Sequence, residues 1–78
     1  MEIKILGTGC AKCRKLEKLT REVVKANNIT ATITKVEDIN EIMKYKIMST
    51  PALVVNDRVE IKGLVPSPSE ILKILLKY

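Results

Sequence analysis

Cys10 and Cys13 are the only cysteines in the 78-residue sequence, and they stand two residues apart in the stretch Gly7-Thr8-Gly9-Cys10-Ala11-Lys12-Cys13. Thiols at this spacing can close a small disulfide ring across one turn or grip a soft metal, and the thiolate is the active form for both tasks. A helix starting beside them would favour that form, because the N-terminal end of a helix carries a partial positive charge. The sequence contains no histidine, which excludes histidine-based acid-base catalysis and histidine-containing zinc sites.

The chain around the pair is short. Seventy-eight residues suffice for one domain, 1–78, close to the size at which one core only just offsets the entropy of ordering the chain. With no Phe or Trp and two Tyr, that core must come from Ile, Leu, Val and Met. Lys and Arg outnumber Asp and Glu by 14 to 9, a formal net charge of +5 that can steer acidic partners. The basic residues are interleaved with acids and aromatic platforms for stacking bases are almost absent, so nucleic acid is not an expected partner. Met1-Glu2-Ile3-Lys4 lacks the basic start and apolar run of a secretory signal, and no apolar run has the length that spans a bilayer. The expectation is a cytoplasmic protein without membrane partners, where a CxxC pair is catalytic or metal-binding rather than a structural staple.

The elements that must position the thiols can be read in order. Ile3, Ile5 and Leu6 form a short strand running into a turn at Gly7 and Gly9. From Ala11 to about Lys25, Leu16, Leu19, Val23 and Val24 recur at helical spacing among charged residues; Glu17 and Arg21 pair on the exposed side, and Asn27-Asn28 supplies a left-handed stop. Thr30 to Val36 is rich in β-branched residues and reads as a second strand. Asp38-Ile39-Asn40-Glu41 fits a capping box for a second helix that buries Ile39, Ile42, Met43 and Ile47 before Ser49-Thr50-Pro51 breaks it.

Ala52 to Val55 is an apolar run, as in a strand covered on both faces. Asn56-Asp57 tolerates positive φ and leads into the alternating edge strand Arg58 to Lys62. Ser67-Pro68-Ser69-Glu70 caps a last helix carrying Ile71, Leu72, Ile74, Leu75 and Leu76. The order is βαβαββα, an α/β arrangement in which a parallel βαβ unit is followed by an antiparallel hairpin and a helix.

Three matched features, the CxxC opening the first helix, Thr50-Pro51 directly before the third strand and Gly63 after the fourth, make the chain resemble the thioredoxin superfamily in its smallest form. The resemblance covers nearly the whole chain and is closest to the short thioredoxin-like or glutaredoxin-like redox proteins of archaea and bacteria. It implies a minimal thioredoxin fold with a four-stranded mixed sheet and three helices. It also implies a thiol-disulfide oxidoreductase in which Cys10 is the exposed nucleophile and Cys13 the resolving thiol. Pro51 is implied to be cis and to face the sulfurs, with Thr50 pairing with an extended substrate segment; Gly9, Ala11, Lys12 and Gly63 complete the implied substrate contacts. The alternative for Pro51 is an ordinary strand-starting proline, and Gly63 either admits a partner's backbone or simply ends the edge strand. Implied partners are disulfide-containing proteins and a disulfide reductase as electron donor, with a monomeric chain and no cofactor beyond the sulfur pair. Leu64, Val65 and Pro66 offer either an apolar rim for docking or a packed loop.

The chain also departs from the family pattern. Gly9 stands where thioredoxins usually have Trp, and Ala11-Lys12 where they usually have Gly-Pro. Lys4 falls near the place on the first strand where many thioredoxins bury an acid. Gly63-Leu64-Val65 lacks the pattern by which glutaredoxins hold glutathione, which favours protein disulfides as substrates. The rival reading is a soft-metal, copper-type chaperone, whose domains also begin with a strand, a CxxC loop and a helix. Against it, Thr8 stands where that family usually has Met, and the chain closes with a helix where that pattern ends in a strand.

Overall fold

The computed structural model describes residues 1–78, with the order β1(Glu2–Leu6), α1(Ala11–Ala26), β2(Thr32–Val36), α2(Ile39–Met43), β3(Ala52–Val55), β4(Arg58–Lys62) and α3(Pro68–Leu75). The expected α/β architecture, four strands in one mixed sheet with three helices in the order βαβαββα, is present. The strands lie in the order β2-β1-β3-β4. β1 runs parallel to β2 and antiparallel to β3, and β3 is antiparallel to β4.

The sheet separates two apolar layers. Ile3 and Ile5 of β1, with Leu53 and Val55 of β3, pack with Leu16 and Val23 of α1 and Ile71 and Leu75 of α3. Leu6, Ala52 and Val54 face the other way, against Ile42 and Ile47. All four residues of β3 are buried, which accounts for the unbroken apolar run: each face of this strand has its own helical cover. Burying each large aliphatic chain removes roughly 1.5–3 kcal/mol of unfavourable hydration.

The ends of α1 follow local chemistry. Cys10 caps its start. At its end Asn28 adopts φ 52°, the Ile29 amide donates to the Val24 carbonyl at 3.0 Å and the Asn28 amide to Lys25 at 3.3 Å, the bonding of a Schellman stop. Thr20, fully buried on the inner face, donates its hydroxyl to the Leu16 carbonyl at 2.8 Å.

Four expectations need correction. β2 begins at Thr32, not Thr30, because Thr32 already pairs with Glu2 at the start of β1 and donates to the Met1 carbonyl; residues before it have no neighbouring strand. α2 ends at Met43 instead of running on toward Ile47. The amides of Lys44, Tyr45 and Lys46 each bond three residues back, and Lys46 then takes φ 57°, which stops the helix. Ile42 and Ile47 are buried as expected, whereas Ile39 and Met43 are exposed. Glu41 does not reach back to complete a capping box; Asp38 accepts from the Asn40 amide at 2.8 Å while Glu41 pairs forward with Lys44 at 3.0 Å. At the chain end Leu76 is the C-cap of α3 and is 70% exposed.

The fourth correction concerns β4. Asn56 and Asp57 have φ 48° and 65°, as a tight hairpin requires. The alternation then breaks, because Leu53 pairs with Ile61 but Val54 pairs with Val59, leaving Glu60 as an extra residue in a bulge. The Glu60 carboxylate, 12% exposed, accepts from Lys77 Nζ at 2.7 Å and from the Tyr78 hydroxyl, tying the edge strand to the end of α3.

These bonds set a pH dependence. The Lys77 hydrogen bond, and after it the Tyr78 hydroxyl, hold the Glu60 carboxyl below its ordinary range. A carboxyl more acidic in the folded than in the unfolded chain stabilises the fold above its unfolded pKa, about 4.3, and that contribution is lost as pH falls through the folded value. The stability difference between the wild type and Glu60→Gln, measured by urea unfolding, is expected to be about 1 kcal/mol near neutrality and to shrink below about pH 4. A difference that stayed constant into acid would contradict the role assigned to Glu60.

Candidate functional site

The site forms at the end of the sheet where β1 finishes, β3 starts and β4 finishes. Leu6 pairs with Ala52, and Ala52 with Lys62, so the segments Gly7–Cys10, Thr50-Pro51 and Gly63 are brought to one edge. The Gly63 amide donates to the Pro51 carbonyl at 2.8 Å, and Gly63 has φ 77°, a backbone state that favours glycine. The Thr50-Pro51 peptide is cis, and Pro51 is buried while Thr50 is exposed.

Cys10 and Cys13 are joined as a disulfide. Their environments differ. Cys10 is exposed and takes the N-cap position of α1, its Sγ accepting from the Cys13 amide at 3.2 Å. Cys13 is 5% exposed, one turn deeper on the side of the helix that carries Leu16. Helix caps are usually oxygen acceptors. A sulfur in this position receives a backbone N–H directly and sits at the positive end of the helix, both of which favour its anionic form once the pair is reduced.

The buried sulfur requires the glycine before it. A Cβ added at Gly7 would lie 2.9 Å from Cys13 Cβ and closer still to Cys13 Sγ, so no side chain fits there. Gly7 is also anchored, its amide donating to the Val36 carbonyl at 3.0 Å. Gly9 has φ 85°, and Glu37, at the end of β2, comes up beside it. Arg14 reaches back from α1 to donate to the Gly9 carbonyl at 2.6 Å. Ala11 and Lys12, the residues inside the ring, are both exposed.

Gly7 and Arg14 are thus part of the site, though neither was among the candidate residues. An arginine four residues after Cys10 was a usable signal for Arg14, but it reads equally as one more charge on a solvated helix face. Lys4 donates to the Tyr45 hydroxyl at 3.0 Å and lies within 3.6 Å of Glu2 and 3.7 Å of Asp57. The Tyr45 hydrogen bond, as the leading cause, raises the Lys4 pKa above its ordinary value. The position near which many thioredoxins bury an acid therefore holds a cation in this chain.

An open groove of about 330 Å³ is lined by Thr8 and Thr50 and by Ile39, Met43 and Met48, among others. Met48 is 99% exposed. Ile39 and Met43, the first and last residues of α2, are both exposed. Of the loop after Gly63, Leu64 is exposed, Val65 partly buried and Pro66 buried.

No group of three or more Cys, His, Asp or Glu side chains is placed to hold a metal ion, and the chain ends in a helix. The metal-delivery reading gains no support from either observation. No helix is long and apolar enough to cross a membrane.

Comparison with known proteins agrees with this geometry. A family model described as a thioredoxin domain matches residues 1–76. A thioredoxin of Methanothermobacter thermautotrophicus is 43% identical over 75 residues, covering 96% of this chain and 97% of that protein. A thioredoxin of Methanocaldococcus jannaschii is 37% identical over 76 residues, covering 97% of this chain and 87% of that protein. A probable thioredoxin of Archaeoglobus fulgidus is 35% identical over 71 residues, with coverage of 87% and 77%.

The fit of Cys13 against Gly7 has a direct consequence. Gly7→Ala forces the helix start away from the sheet and is expected to destabilise the oxidised protein by about 1–3 kcal/mol in urea unfolding, the usual cost of overpacking. Unchanged stability in this variant would mean that the close approach at Gly7 is not a constraint.

Proposed function

The chain belongs to the thioredoxin family and is a thiol-disulfide oxidoreductase, and from that premise we propose that it reduces disulfide bonds in protein substrates, with Cys10 attacking and Cys13 resolving. The observation that carries this reading is the asymmetry of the pair: the exposed Cys10 sulfur caps the helix, whereas Cys13 is buried behind it.

The chemistry balances in two exchanges. The Cys10 thiolate attacks one sulfur of the substrate disulfide; that bond breaks, a mixed disulfide forms, and one substrate sulfur leaves as a thiolate that takes up a proton. Cys13 then loses its proton and attacks the Cys10 sulfur. The mixed disulfide breaks, the second substrate sulfur leaves as a thiol, and the Cys10–Cys13 bond is formed. The substrate has gained two electrons and the protein has lost them. A disulfide reductase, supplying two electrons and two protons, restores the dithiol.

The substrate segment runs past Thr50 and Pro51, with Gly9, Ala11, Lys12 and Gly63 around the sulfurs. Ile39, Met43 and Met48 supply an adaptable apolar wall next to it, a use to which flexible methionine side chains are suited. The reading needs no metal and no organic cofactor, because the sulfur pair itself carries the electrons.

The roles of the two cysteines are separable by mutation. With insulin as a disulfide-containing probe, Cys10→Ser is expected to bring the rate of disulfide reduction to background. Cys13→Ser is expected to accumulate a one-to-one mixed disulfide through Cys10. The proposal fails if the adduct forms as readily on Cys13 of the Cys10→Ser variant, since attack would then not belong to the helix-capping sulfur.

A further inference from the structure

The segment Thr8-Gly9 joins the first strand to the reactive cysteine, and it makes a single intramolecular hydrogen bond: the one from Arg14 to the Gly9 carbonyl, at 2.6 Å. The same residue donates its backbone amide to the Cys10 carbonyl at 3.0 Å. Arg14 therefore holds two successive carbonyls, one on each side of the Cys10 amide, with its main chain and its side chain. The guanidinium is also a fixed charge. It lies against the peptide bond that enters Cys10.

The charge pattern of α1 is unusual in a way that bears on this bond. Its first turn contains no acid, and Lys12, Arg14 and Lys15 all fall within its first five residues. Cations near a helix N-terminus oppose the helix dipole, so this arrangement weakens the helix locally. Local rules broken in this manner are expected at functional positions, where the loss is offset by what the site gains. Here the gain is a positive field around a sulfur that becomes an anion when reduced.

We propose that Arg14 is a positioning residue of the redox centre: by holding the Gly9 carbonyl, its guanidinium fixes the turn that presents Cys10 and keeps a positive charge beside the sulfurs, favouring the reduced pair. The inference rests on the reading of Cys10 and Cys13 as a redox couple. It concerns the position of that couple's equilibrium, a property that a purely structural contact on an exposed helix face would leave unmoved. Without Arg14 the turn is held by no side chain, and the guanidinium charge is gone from the peptide that enters Cys10.

The test is the equilibrium of the full chain in glutathione buffers of graded ratio, with dithiol and disulfide forms counted by mass after acid quenching and alkylation. Arg14→Met removes charge and donor on an exposed helix position where Met is a good helix former. It is expected to shift the equilibrium about threefold toward the disulfide, which for a two-electron couple is a potential about 15 mV more negative. Arg14→Lys keeps the charge on a shorter stem and is expected to recover more than half of the shift. Lys18→Met, which removes one charge a turn further along the same helix, is the control and is expected to stay at the wild-type value. The proposal is overturned if Arg14→Met matches the wild type, or if Lys18→Met moves the equilibrium as far. A wild-type chain that forms no intramolecular disulfide in any buffer would instead remove the redox reading itself.

Discussion

A sulfur occupies the place that a serine or aspartate oxygen fills at many helix starts. Cys10 Sγ accepts the Cys13 amide at 3.2 Å and so satisfies one of the donors that the first turn of α1 leaves unpaired. Much of the rest of the molecule is concerned with holding that turn against the sheet. Leu16 and Val23 pin α1 onto Ile3, Ile5, Leu53 and Val55, so the helix cannot slide or rotate without exposing the main apolar layer. Gly7 lets the buried Cys13 approach the end of β1, and Arg14 closes the turn from the helix side. The two thiols share one ring yet differ in exposure, and the chemical difference proposed for them follows from where the helix begins.

In a chain of 78 residues the same atoms must serve stability and function. β3 lies between the two apolar layers and is buried along its whole length, so it is both the centre of the core and the strand whose start carries Thr50-Pro51 to the edge where β1 finishes. The hairpin that follows returns Gly63 to the same edge, where its amide bonds the Pro51 carbonyl. The far end of the hairpin is closed separately: Asn56 accepts from the Glu2 amide through its side chain and donates its own amide to the Glu2 carbonyl, both at 2.8 Å. Fixing β1 at its start and packing it at its finish makes the reactive end a property of the whole sheet.

What could be read from residue types was mainly what depends on local periodicity. The apolar spacing of α1, the continuous run of β3, the Asn-Asp turn and the Ser-Pro start of α3 each have a mechanism confined to a few neighbouring residues, and each element stands where it was expected. Failures occurred where a distant partner decides. The start of β2 depends on where β1 begins, which Thr30 and Ala31 cannot reveal. The end of α2 depends on Lys46 adopting a left-handed conformation, a state no lysine advertises. The bulge at Glu60 breaks an alternation that looked clean in sequence. The sheet edge shows the same division: the cysteine pair was visible from its spacing, and the resemblance pointed to Thr50, Pro51 and Gly63, which lie at that edge. Gly7 and Arg14 act through a close approach and a backward-reaching bond that only coordinates reveal.

The measurement that bears most directly on the central claim is the pH dependence of alkylation of the reduced protein, read separately at each cysteine by peptide mapping. If position at the helix start makes Cys10 the attacking thiolate, Cys10 is expected to label first. Its rate should rise through a pKa below the ordinary thiol value of about 8.5, while Cys13 reacts slowly throughout. Preferential labelling of Cys13, or equal slow labelling of both with a midpoint at or above that value, would contradict the account.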